Sequence, residues 1–136
     1  MSSDLCFLRT CYDHLAGTVA IALYDQLQTN GSLAIADEQI ELTPPGAKCL
    51  RALNIDPDGL RLGRRPLARP CLDWTERRHH LAGALGAALL DMFREQKWVA
   101  PRREPRALRL TTTGRRELAL HFGIDTANLS CASTIV

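Results

Sequence analysis

The chain carries the same pattern twice, and that limits its architecture more than any other feature. Cys11-Tyr12-Asp13-His14-Leu15-Ala16-Gly17 returns as Cys71-Leu72-Asp73 and then, six residues later than strict register, as His80-Leu81-Ala82-Gly83. From there the copies run together at an offset of 66, with Ala20–Asp25 answering Gly86–Asp91. Ile40-Glu41-Leu42-Thr43-Pro44-Pro45-Gly46 matches Leu108-Arg109-Leu110-Thr111-Thr112-Thr113-Gly114 at 68, and Asn54-Ile55-Asp56 matches Gly123-Ile124-Asp125 at 69. The drift places short insertions in loops, which tolerate them. The repeat divides the chain into a unit at 9–56, a linker with a short helix at 57–70, a second unit at 71–125, and a tail at 126–136.

Each unit reads as helix, β-hairpin, helix. In the second, Leu81, Leu85, Ala88, Leu89, Met92 and Phe93 form one apolar helical stripe; Leu15, Val19, Ala22, Leu23 and Leu27 are its counterpart. Small residues flank both stripes (Ala16, Gly17, Ala20; Ala82, Gly83, Ala84, Gly86, Ala87). Glycine in a helix costs about 1 kcal/mol against alanine, so its use implies close backbone packing. Ile40 and Leu42, like Leu108 and Leu110, alternate with polar residues as half-buried strands do, with partners near Leu33–Ala36 and Trp98–Arg102. Asp37-Glu38 and Arg103–Pro105 take the hairpin tips. Thr43 and Thr111 suit helix N-caps, Pro44 suits the first helical position, and Asn54 and Gly123 suit left-handed C-terminal stops. The fold class expected is therefore α+β, mostly helical: two tandem winged-helix-like units related by a pseudo-twofold axis. Residues 1–8 and 126–136 lack periodicity and are expected to be mobile tails.

At 136 residues, 46% hydrophobic and 24% charged, the chain has enough apolar surface for one folded core or two small ones. Its longest uncharged apolar run, Leu81 to Leu90, is half the roughly 20 residues a membrane span needs. No secretory signal opens the chain, and a cytoplasmic location is expected. The formal net charge of +2 is too small to argue for nucleic acid. The basic excess lies in residues 71–136, with 10 basic and 7 acidic side chains, although such an asymmetry commonly marks a solvated surface. The five cysteines (Cys6, Cys11, Cys49, Cys71, Cys131) form an odd set without a Cys-x-x-Cys pair. Reduced thiols are expected rather than a disulfide framework.

Helix, two-stranded wing, then Leu-Thr-x-x-Gly opening the next helix is the order of the back half of a winged helix-turn-helix domain. Residues 9–17 and 69–83, from Arg9-Thr10-Cys11 to Ala16-Gly17 and from Arg69-Pro70-Cys71 to Ala82-Gly83, resemble the C-terminal region of a bacterial group within the ArsR/SmtB transcriptional regulators. The resemblance spans about residues 9–122. It implies a cytoplasmic, homodimeric regulator that binds DNA through an N-terminal winged helix-turn-helix, for which nothing upstream of Arg9 provides. The chain is thus expected to be a regulatory and dimerisation, effector-responsive module, a fragment or truncated product lacking that DNA-reading domain.

Two alternatives accompany that reading. The first is a soft-metal or thiol-redox sensor. Cys11 and His14, at i and i+3, would share a helical face that can hold zinc or a similar ion, with Cys71 as a third ligand and Cys71, His79 and His80 as the pseudo-equivalent group. The plainer reading is that Cys11 and Cys71 fill one packing niche twice. The second alternative is direct DNA binding, with the wing arginines Arg102, Arg103 and Arg106 contacting phosphates. Neither apolar helix offers the side chains needed to read base edges, so both are expected to be burial helices. No nucleophile elbow, P-loop or paired-carboxylate motif accompanies Asp13, His14, Asp73, His79 and His80, so no enzyme is expected. Asp73-x-x-Glu76 reads as a helix cap or surface polar pair, and Trp74 and Trp98 as core or interface anchors.

Overall fold

The computed structural model describes residues 1–131. It is an α+β fold of helices and two-stranded antiparallel hairpins. A short helix α1 (Ser3–Phe7) leads into hairpin β1 (Arg9–Cys11) and β2 (His14–Ala16), helix α2 (Thr18–Thr29), hairpin β3 (Leu33–Ala36) and β4 (Gln39–Leu42), and helix α3 (Pro44–Ala52). After α4 (Pro57–Arg61) the order repeats. Hairpin β5 (Arg69–Asp73) and β6 (Arg78–Ala82) precedes α5 (Gly83–Glu95), then come hairpin β7 (Val99–Pro101) and β8 (Leu108–Leu110), α6 (Thr112–Phe122) and a 3-10 turn, Thr126–Asn128.

The expected helix–hairpin–helix order is present in both copies, but each copy opens on a further hairpin. The apolar stripes conceal it. Leu15 and Leu81 lie on strands, and the helices begin only at Thr18 and Gly83. Gly17 and Gly83 make both junctions with positive φ, +96° and +83°. A Cβ on either would come within 2.8 Å of a carbonyl oxygen of the preceding segment. Glycine is required there by both conformation and space.

The Leu-Thr-x-x-Gly motif has an equally local cause. The Thr43 and Thr111 hydroxyls accept from the Gly46 and Gly114 amides and donate back to the Ser32 and Trp98 carbonyls. Each helix start is thereby clamped to the residue just before the first strand of its own hairpin, too closely for any side chain at the glycine. Thr111→Ala is expected to lower stability by about 1 kcal/mol, the usual worth of an N-cap, in urea denaturation. Asn54 (φ 64°) and Gly123 (φ 67°) adopt the left-handed stops expected of them. The following Asp56 and Asp125 each cap the next helical turn.

One core holds both copies together. Leu23, Leu27, Leu85, Leu89, Phe93, Trp98, Leu118 and Phe122 are buried in a single cluster. The packing is exchanged between copies: α2 lies on β6 and α5 lies on β2, while β2 also touches β6. Close approach explains the small residues on α5, since a Cβ on Gly86 would meet the Leu81 carbonyl and His14 Cβ.

Several expectations are corrected by the chain ends. Residues 1–8 are not a loose tail. Cys6 and Leu8 are fully buried, and the β7–β8 hairpin docks on this segment through Leu108 N–H to Leu8 O, Thr10 N–H to Arg106 O and a bridge between Arg9 and Ala107. Part of the 126–136 tail is ordered too, as the 3-10 turn and a buried Cys131; residues 132–136 lie outside the described residues. Cys6 and Cys131 form a disulfide, so the thiols are not all free. The contact of α1 with the rest of the chain sets their Cα atoms 5.9 Å apart, within ordinary bridging range. Among the described residues no helix is long and apolar enough to cross a membrane.

Candidate metal centre

The two extra hairpins carry the chemistry. In the first, Cys11 and His14 are directly opposed across the ladder, joined by the two-residue turn Tyr12-Asp13 with Tyr12 at φ 57°. In the second, Cys71 and His80 are opposed in the same way. Each hairpin thus presents one thiol and one imidazole side by side, because opposed residues project from the same face of a ladder. The exchanged packing brings the two faces together. Sulfur or nitrogen atoms of Cys11, His14, Cys71 and His80 all lie within 4.8 Å of one another.

The imidazoles are oriented for a shared ligand. His14 Nδ1 lies 3.3 Å from Asp13 Oδ1, and His80 Nδ1 lies 3.1 Å from Asp73 Oδ2. With each Nδ1–H assigned to its carboxylate, both Nε2 atoms carry lone pairs, and they face each other 3.2 Å apart. In a tetrahedral zinc site with Zn–N near 2.0–2.1 Å, the N···N edge is about 3.3 Å. Burial, opposed by Asp13 and reinforced by His80, holds the His14 pKa below its ordinary value and keeps that imidazole neutral. Burial and then the neighbouring Cys11 push the Cys71 thiol up to about 11. The Cys71 thiol thus resists ionisation until a cation offsets the charge, which is the usual coupling of metal binding to proton release.

Outer carboxylates complete both halves, as they commonly do around metal-binding histidines. Asp13 is fixed by Arg65 Nη1 at 2.6 Å, and the Arg65 hydrogen bond holds its carboxyl below the usual range. Asp73 is more deeply set. Its Oδ1 accepts from Arg9, Thr75 N–H and Thr75 Oγ1, and its Oδ2 from Gly17 N–H at 2.7 Å as well as His80. Burial alone would raise its pKa, but the hydrogen bonds from His80, Thr75 and Gly17 and the Arg9 charge hold it far below the carboxylate range. The expected helix cap or surface pair at Asp73-x-x-Glu76 is therefore corrected. No helix starts there, and Asp73 is a fully buried anchor between His80 and the start of α2.

Of the residues expected to bind metal, Cys11, His14 and Cys71 do come together. They do so as cross-strand pairs, correcting the helical i, i+3 arrangement, because the chain reverses at Tyr12. The fourth donor is His80. Its neighbour His79 points the other way, as strand alternation demands, and is exposed. The repeat itself carried this signal, since the offset of 66 aligns His14 with His80. Of the two tryptophans expected as core or interface anchors, Trp98 is buried in the core, whereas Trp74 is exposed at the turn of the second of these hairpins and is no part of the core. Arg103 and Arg106 are exposed, whereas half-buried Arg102 faces Asp4 with its Nε 3.7 Å from Oδ1.

A curated protein, the uncharacterized HTH-type transcriptional regulator YdfF of Bacillus subtilis (strain 168), is 43% identical to the chain over 121 residues. Over most of its length, this chain is similar to a transcriptional regulator. The match takes in 89% of the chain but 54% of the relative, so the chain spans about half the length of the curated protein it matches. That description extends to an HTH-type regulator and no further, so the ArsR/SmtB placement stays a resemblance. No family model and no solved structure matches the chain.

Proposed function

We propose that this chain is the effector-sensing part of a transcriptional regulator. Its effector is a thiophilic divalent ion, with zinc the type case, held by Cys11, His14, Cys71 and His80. The supporting observation is the pair of buried imidazoles whose Nδ1 atoms are engaged by carboxylates and whose Nε2 atoms face each other. Two lone pairs at that distance repel unless they share a proton or a cation, and two thiols adjoin the same point. A Cys2His2 set with anchored histidines is a donor combination typical of zinc.

The ion would join the two copies of the repeat. Through Asp73 its occupancy would be felt at Gly17, the residue on which α2 starts, so that gain or loss of the ion changes how the copies are held together. In this reading the DNA-reading part belongs to the portion of such a regulator that the chain does not match. Association of two protomers forms part of the same reading, supported by the exposed Tyr12 and Trp74 at the turns of the two metal-bearing hairpins.

Elemental analysis of the purified chain tests the proposal. About one zinc per chain is expected, with Cys11→Ser retaining less than about a tenth of that, since structural zinc sites depend on a full ligand set. Equal metal content in the wild type and Cys11→Ser would refute it.

A further inference from the structure

A second group of soft donors lies on the other side of the α2 start. Cys6 Sγ, Cys131 Sγ and a Glu76 carboxylate oxygen all fall within 4.8 Å of one another, with Cys6 Sγ 3.6 Å from Glu76 Oε1. Both cysteines are buried. Thr18, the first residue of α2, donates through Oγ1 to both Glu76 Oε1 and the Cys6 carbonyl. Glu76 belongs to the six residues by which the second hairpin exceeds the first. The turn after β5 thus supplies Asp73 to the first cluster and Glu76 to this one.

We propose that Cys6, Cys131 and Glu76 form a redox-gated second site for a thiophilic divalent cation. With the sulfurs joined the site is closed, because a disulfide has no thiolate to offer. A dithiol reductant opens it. One of its thiolates attacks Cys131 Sγ or Cys6 Sγ, breaking the S–S bond and forming a mixed disulfide with the attacked sulfur. Its second thiol then displaces that sulfur. The reductant leaves as its own disulfide, two electrons have been transferred, and the two protons the reductant gives up are carried by Cys6 and Cys131. Binding of the cation releases those two protons and yields a dithiolate–carboxylate set. A cleft of about 430 Å³, lined in part by Thr18, Asp25, Glu76 and Arg78, reaches the Glu76 side of the group. This site shares no ligand with the Cys2His2 centre, so either can fail without the other.

Cadmium is the probe, measured by elemental analysis and by thiolate-to-cadmium ultraviolet absorption. The full chain is used as purified and oxidised, and again after dithiol reduction and anaerobic removal of the reductant. One additional cadmium per chain is expected in the reduced protein, whatever the Cys2His2 centre holds. Cys131→Ser should abolish that increment. Glu76→Gln should weaken it at least about tenfold, since loss of even an outer-shell partner does as much. In Cys11→Ser/Cys71→Ser the increment should persist. Equal cadmium in the two redox states, or a Glu76→Gln affinity equal to wild type, would overturn the assignment.

Discussion

Zinc at a thousand times its dissociation constant is expected to stabilise the metal-free chain by about 4 kcal/mol, because an ion that binds only the folded state contributes RT ln(1 + [L]/Kd). For a chain of this length that corresponds to a rise of roughly 10–15 °C in the melting temperature. The effect requires the two copies to be folded against each other, since Cys11 and His14 come from one and Cys71 and His80 from the other. A chelator should return the midpoint to its starting value. His80→Ala should remove the response altogether, because it deletes one of the four donors. A wild-type midpoint indifferent to zinc, measured by calorimetry, would remove the basis for the metal reading.

Asp73→Ala should be the most damaging single change at the site even without metal, at about 3–5 kcal/mol. The reason is what it leaves behind. Arg9 would stay buried without its carboxylate, and the Gly17 amide would lose its acceptor. Metal affinity should fall by about 10–100-fold as well, because His80 loses its outer anchor. Asp13→Ala supplies the contrast. It should weaken metal binding over the same range, yet cost only about 1–2 kcal/mol in the metal-free protein, since its partner Arg65 is half exposed and solvated without it and only the buried His14 Nδ1–H loses an acceptor. Urea denaturation of the two metal-free variants separates the roles, and equal losses of stability would refute the distinction.

Where short-range physics decides a feature, the sequence shows it. Thr43, Thr111, Pro44, Asn54 and Gly123 each satisfy a local backbone demand, and all five occupy the positions such residues suggest. The hairpins at 33–42 and 99–110 show through their period-2 alternation. The hairpins at 9–16 and 69–82 do not. Their strands are short, and Leu15 and Leu81 extend the helical periodicity that follows, so each strand and its helix merge into one amphipathic stripe. The Cys/His cluster is only partly legible for a related reason. Cys11, His14 and Cys71 stand out by residue type, but the choice of His80 over His79 depends on which face of a strand meets the other copy. The burial of Asp73 depends on the same long-range contact, and nothing in its immediate neighbours reveals it. The Cys6–Cys131 link, 125 residues apart, is invisible to any local pattern.

The exchange that lays α2 on β6 also imposes a delay during synthesis. The end of α2 and the end of β6 are separated by some fifty residues of chain. At about 5–20 residues per second on the ribosome, the oily side of α2 stays uncovered for about 3–10 s before its cover exists. For those seconds the nascent polypeptide exposes a surface that chaperones bind and that neighbouring chains can stick to. A stall anywhere between residues 30 and 82 would lengthen that exposure.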